Sequence, residues 1–392
     1  MKIKRTLTPL GGGLAAAALL GASLAGSAQA QTSQVKPSES VSATTAKGIA
    51  AFWLQNNGAA LKAATYLEED TTDVDQLKST GTASTDTKAG SVAPTGTTTS
   101  TSTSKNVNLP KTIGKVFFVD QDGEKRWCSA SSIQSNYRNL VATAGHCVYD
   151  TSNDEQLVDN WVFVPGYYQG KAPYGVYVGK QAFVHYDYSV YEDYDRDYAF
   201  VSVYNGVTVK DSTVTESEYA ADKAKAATDT TKGELSYHDS ASNTYHVVQV
   251  SDAGRLGDNV GGQGIAWNQP LKKAHYVFGY PQAAHPDGNK PYTGVTPKWC
   301  YGTTTDKTVG SAAKKIEEHV GLKCAMTAGA DGGPWLLNYN NSKRTGYLNG
   351  VTSSFYDQDE NNRVDYVSSP YFDGETHSVY AEAAKVWSGK LF

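Results

Sequence analysis

Residues 327–335 read "TAGADGGPW", small residues and glycines ahead of the apolar run "WLL". So dense a set of small residues folds as a tight turn. Its backbone N–H groups converge on one point, and such a point stabilises a developing oxyanion. Working outward, two further stretches carry chemistry-bearing side chains. "LVATAGHCVYD" ends an apolar run with His146 directly before Cys147. A histidine at a strand end, pinned by a neighbouring disulfide, suits a general base that must hold its position. "YDRDYAFVSV" sets Asp197 just ahead of an apolar strand, where a buried carboxylate can orient an imidazole; Asp193 and Asp195 compete for that role. Taken singly, a structural histidine and a strand-capping aspartate are the plainer readings.

The texture around these stretches is all-β. "IGKVFFV", "NLVATAG", "NWVFVPG", "YAFVSV", "HYVFGYP" and "GYLNGVT" are short β-branched and aromatic runs, each ended by turn-forming residues. Strands at this spacing without helices between them argue a sandwich or a pair of barrels. Two pieces depart from the pattern. An Ala- and Lys-rich stretch near 217–228 reads as a surface insertion, and "GETHSVYAEAAKVW" at 374–387 reads as a C-terminal helix.

Upstream the organisation changes. Residues 1–30 carry Lys2, Lys4 and Arg5, a Gly- and Ala-rich apolar stretch, and Ala28-Gln29-Ala30 as a small-x-small cleavage site. This is the pattern of a secretory signal peptide. Residues 31–78 form a pro-region in which Ile49, Phe52, Trp53, Ala60, Ala64 and Leu67 share one helical face, with Asn56, Asn57 and Gly58 interrupting it. Residues 79–111 are rich in Ser and Thr, a composition too poor in apolar area to order itself, and they read as a linker.

A net charge of -5 over 392 residues offers no basic patch for nucleic acid or anionic lipid. The four cysteines fall as two local pairs, Cys128 with Cys147 and Cys300 with Cys324. Neither pair has the short spacing of a zinc ribbon, and in an exported chain disulfides are expected.

Together the three segments resemble the secreted bacterial trypsin-like (chymotrypsin-fold) serine peptidases, in which His, Asp and a GxSGGP turn follow in that order. The likeness runs through "CSASSI", "VPGYY", "GIAWN", "FGYP", "CAMTAGADGGPW" and "LNGVTSS", over roughly 112–390. It implies two packed six-stranded antiparallel β-barrels, about 112–205 and about 260–375, with the cleft between them and a C-terminal helix. It also implies that Cys128–Cys147 braces the His loop and Cys300–Cys324 braces the second barrel. His146 and Asp197 would be catalytic. Gly329 and residue 331 would donate the oxyanion N–H groups, and Thr327, Thr352 and Ser353 would line the substrate cleft.

The departure from the family lies at position 331, where Asp331 stands in place of the nucleophilic serine. An ionised carboxylate has no proton to give and is a poor nucleophile toward an amide. Its charge would also fill the oxyanion hole from within. The expectation is a secreted, monomeric, non-catalytic homologue that binds a peptide or protein and uses no cofactor or metal. An active hydrolase with an atypical nucleophile is the alternative, and a metal site at His146, Asp197 and Asp331 is a second. The acidic run "DQDENNRVD" at 357–365 lacks the glycine and glutamate of a calcium loop and reads as a solvated hairpin tip. The tyrosines from Tyr167 to Tyr198 read as strand dressing.

Overall fold

The computed structural model describes residues 34–67, 76–95, 110–151, 156–228 and 235–392. The expected signal peptide and residues 96–109 of the expected linker lie outside the described residues.

Six antiparallel strands close into a barrel: Tyr177–His185, Asp159–Pro165, Ile113–Val119, Lys125–Ile133, Leu140–Thr143 and Ala199–Val203, the last pairing back onto the first. Successive side chains on a strand point to opposite faces, so a strand buried on both reads as a continuous apolar run. "IGKVFFV" is such a run. Val116 and Phe118 belong to one apolar cluster with Cys128, Val141, Phe163 and Val201. Phe117 joins a second cluster that includes Trp53 of the N-terminal helix and Phe278 of the second half.

The second half differs from a closed six-stranded ladder. It is built from two sheets. One orders Lys298–Thr303, Ala274–Gly279, Pro334–Asn340, Thr345–Val351 and Gly264–Trp267, with Gly90–Val92 at its edge. The other orders Ser354–Tyr356, Tyr366–Pro370, Ile316–Lys323 and Thr308–Ser311, with Lys78–Gly81 at its edge. Val277 and Trp335 of the first sheet meet Val320, Leu322, Phe355 and Val367 of the second in a shared core. The disulfides join Cys128 to Cys147 and Cys300 to Cys324.

The N-terminal segment pairs with both halves. Val35–Pro37 pairs with Tyr177–His185, and Thr65–Tyr66 pairs with Arg126–Trp127. Between them the helix Ala43–Ala63 buries Ile49, Trp53 and Leu54 and kinks where Asn56, Asn57 and Gly58 take left-handed φ of 51°, 55° and 67°. The Trp53 indole donates to the Asn160 carbonyl. Lys78–Gly81 and Gly90–Val92, inside or abutting the supposed linker, then add to the two sheets of the second half. Residues 34–67 and 76–95 thus supply edge strands and a helix that pack on the fold. The physical reason is that edge pairing is made by backbone groups. A Ser/Thr/Gly-rich chain can supply them without burying apolar side chains.

An insertion follows the first barrel. It comprises strands Gly206–Val214, Tyr237–Asp239 and Thr244–Gly254, with the helix Glu216–Thr228. The C-terminal helix Gly374–Ala383 starts from a reciprocal cap, Asp373 with Thr376. Among the described residues no helix is long and apolar enough to cross a membrane.

Candidate active site

His146 follows the strand Leu140–Thr143, in a turn held by Cys147. Asp197 directly follows the short 3-10 helix Tyr194–Arg196 and precedes the strand Ala199–Val203. Pairing of that strand with Leu140–Thr143 brings the two residues together. The His146 backbone N–H donates to Asp197 Oδ1 at 2.9 Å, and ring Nδ1 lies 2.9 Å from Oδ2. Ser353 Oγ donates to the same Oδ2 at 2.6 Å. Burial pushes the Asp197 carboxyl up, but the imidazole and these three donors outweigh it and hold the carboxyl below its usual value.

The sequence left Asp193 and Asp195 in competition with Asp197, and the structure separates them. Asp193 caps the 3-10 helix by accepting from Asp195 N–H. Asp195 accepts from the N–H groups of Glu317 and Glu318, tying this loop to the second half.

Asp331 lies on the other edge of the ring, its Oδ1 3.6 Å from His146 Nε2. Its Oδ2 accepts the Gly329 backbone N–H at 2.7 Å. Gly329 has φ of 96° and Gly332 φ of 72°, and a Cβ on Gly332 would fall 2.0 Å from Thr143 Oγ1. Only glycine suits both positions. The two carboxylates stand on opposite sides of the imidazole, so His146, Asp197 and Asp331 do not converge on a point where one cation could sit.

The site is almost closed. His146 is 4 % exposed, Asp331 2 % and Asp197 0 %. The three residues expected along the cleft are buried and their hydroxyls are engaged. Thr327 Oγ1 donates to the Ala283 carbonyl, Thr352 Oγ1 accepts from the Trp335 indole, and Ser353 donates to Asp197. None of the three presents a free hydroxyl to a ligand in this arrangement.

Ser129 was not singled out from the sequence, although "CSASSI" contains it. Its N–H donates to the Asp331 carbonyl at 2.8 Å. Its hydroxyl donates to the Gly329 carbonyl at 2.7 Å and accepts from Tyr280 N–H at 2.8 Å. Ser129 thereby staples the Gly-rich turn to the first barrel. Its only signal in the sequence is a small polar residue beside a cysteine. Lys115 was also missed. It is buried with its ammonium 3.2 Å from the Trp127 ring centroid and 4.6 Å from that of Tyr167. Burial lowers its pKa well below the lysine value. In sequence it reads as an ordinary strand lysine.

A closed barrel with a His and an Asp at its rim, followed by a Gly-rich turn, defines the chymotrypsin-like class of folds. A trypsin family model matches residues 110–251. A crystal structure of the protease Anisep from Arthrobacter nicotinovorans is 26% identical, with a TM-score of 0.50, over 71% of this chain and 97% of that one. A thermostable serine protease, AL20, from an extremophilic microorganism is also 26% identical, with a TM-score of 0.51, over 72% of this chain and 100% of that one. No curated protein matches. The family-model match and these two structures support a trypsin-like peptidase family for the chain. The family-model match ends before the turn that carries Asp331, so it leaves the chemistry at that position open.

Proposed function

We propose that this protein is a secreted, non-catalytic member of the family that binds a peptide or protein instead of cleaving it. The observation that carries this reading is the hydrogen bond from Gly329 N–H to Asp331 Oδ2 at 2.7 Å. Acyl transfer at such a site needs a neutral hydroxyl that passes its proton to the imidazole as it attacks, and an empty pair of N–H donors for the oxyanion. Asp331 removes both. Its carboxylate carries no transferable proton when ionised and occupies a donor that the oxyanion would use.

Two further facts support the reading. The imidazole is flanked by carboxylates on both edges. Two opposite charges stabilise the protonated ring, which cannot act as a base. His146 and Asp331 are also almost completely buried, which restricts the approach of a peptide carbonyl. In this role Gly329, Asp331 and the wall containing Thr327, Thr352 and Ser353 are structural remnants of a cleft. The two disulfides and the fold suit an extracellular setting.

The test is direct. The purified protein is incubated with a fluorophosphonate serine reagent and with a broad peptide library. Neither labelling at residues 327–335 nor cleavage is expected. Peptide cleavage that is abolished by both Asp331→Ala and His146→Ala would make Asp331 a working catalytic group and remove the non-catalytic reading.

A further inference from the structure

The insertion carries a second array of the same chemical kind. His246 lies on the strand Thr244–Gly254, and its Nδ1 is 2.8 Å from Asp211 Oδ1 on the neighbouring strand. Its Nε2 is 2.9 Å from Thr244 Oγ1. The other oxygen of Asp211 accepts the Tyr237 hydroxyl at 2.8 Å. The Tyr237 ring stacks on the imidazole, 4.5 Å away and within 4° of parallel. Ser242 Oγ sits 2.6 Å from Thr244 Oγ1 at the hairpin tip.

This connectivity specifies roles. The Asp211 carboxylate accepts the Nδ1–H hydrogen bond and so favours the tautomer in which Nε2 is the acceptor. Tyr237 fixes the carboxylate from its far side and the ring from its face. Burial and the Asp211 carboxylate raise the Tyr237 phenol to about 12, so it remains a donor at neutral pH. A nucleophile bonded to a base that is itself oriented by a third group is the general signature of an activated hydroxyl. Unlike the site at Asp331, the array is open. The His246 and Asp211 side chains are 17% and 29% exposed, and Ser242 at the tip is exposed.

We propose that Thr244 is an acyl-accepting nucleophile toward activated esters, with His246 as its base and Asp211 and Tyr237 as positioning residues. Thr244 Oγ1 attacks the ester carbonyl carbon while its proton passes to His246 Nε2. The tetrahedral adduct collapses with cleavage of the bond to the leaving oxygen. An aryloxide departs with the electron pair and needs no proton, so aryl esters are the substrate class that matches this array. The imidazolium then releases its proton to solvent, leaving O-acyl-threonine. This inference is independent of the reading of Asp331.

The test uses the full chain with p-nitrophenyl acetate, following nitrophenolate release and mapping the acetyl group by peptide mass spectrometry. The acetyl group is expected on Thr244. His246→Gln and Asp211→Asn should each slow its appearance by about 10²-fold or more, the usual worth of a positioned base. Asp211→Glu should restore part of the rate. Thr244→Ser keeps the hydroxyl and should still be acetylated. Thr208→Val on the same sheet should change nothing. The proposal is overturned if acetyl is found only on other residues, or if the rate at Thr244 is the same in His246→Gln and Asp211→Asn as in the unaltered protein.

Discussion

Two carboxylate–imidazole pairs in this molecule have nearly the same geometry and opposite surroundings. At the junction of the two halves, His146 and Asp197 sit 2.9 Å apart with side chains 2% and 0% exposed. On the insertion, His246 and Asp211 sit 2.8 Å apart and are partly open. The third member differs in kind. It is the carboxylate of Asp331 in the first and the hydroxyl of Thr244 in the second. The comparison teaches that the pair itself does not decide function. What decides it is whether the third group can give up a proton and whether a substrate can reach it.

The largest expected effect comes from exchanging that third group. Asp331→Ser restores a hydroxyl and releases the Gly329 N–H. The rate of phosphonylation at position 331 by a small fluorophosphonate, with fluoride as the leaving group, should rise by about 10³-fold or more over the natural protein. A gain below tenfold would show that closure of the site, rather than the carboxylate, is the main obstacle.

Burial separates the two pairs next. Asp197→Ala leaves three buried donors without an acceptor and should cost about 3–5 kcal/mol in denaturant unfolding. Asp211→Ala at the half-open pair should cost about 1 kcal/mol or less. Equal losses would erase the contrast on which this reading rests.

The environment of the first pair should also show in its response to acid. Behind it, His319 is enclosed by Tyr194 and Ser368, and burial drives its pKa down to about 4. The folded ring stays neutral while the unfolded one binds a proton below about 6.5. Its contribution is therefore full above about 6.5 and is lost as pH falls toward about 4, an effect of about 3 kcal/mol. Asp373 has the opposite sign. Burial raises its pKa to about 6, so its proton is bound more tightly in the fold and its contribution grows as pH falls through that value. Comparing His319→Gln with the unaltered chain from pH 7 to pH 4 isolates the histidine. Parallel stability curves would show that the ring is hydrated.

A more local effect sharpens the Ser129 staple that only the first site has. Ser129→Ala removes the hydroxyl between Gly329 O and Tyr280 N–H and should cost about 1–3 kcal/mol, because a buried donor and acceptor lose their shared partner. Hydrogen exchange at Gly329 should quicken with it. Unchanged exchange there would mean that the glycine geometry holds the turn unaided.

How much of this was legible in the sequence follows from the kind of contact involved. Four apolar runs of the first barrel and two of the second half, the order of His146, Asp197 and the Gly-rich turn, the kink at Asn56–Gly58 and the helix starting at Gly374 are all local signals. Periodicity, small residues and caps act within a few positions, so they show in a linear string. The presence of Asp331 in place of a hydroxyl is equally a property of the string.

The rest depended on long-range packing. Asp197 could be told from Asp193 and Asp195 only once the strand Ala199–Val203 was paired with Leu140–Thr143, because pairing sets which carboxylate faces the imidazole. The segment 76–95 became part of the fold through backbone hydrogen bonds to sheet edges, which composition does not encode. The filling of the Gly329 donor by Asp331 and the array of Asp211, His246 and Thr244 each join residues whose spacing in the chain carries no signal. The sequence by itself determined the chemistry each side chain has to offer. Tertiary structure decided which groups meet and how much water reaches them, because the strength of charges and hydrogen bonds depends on burial and on distances that the chain order does not contain.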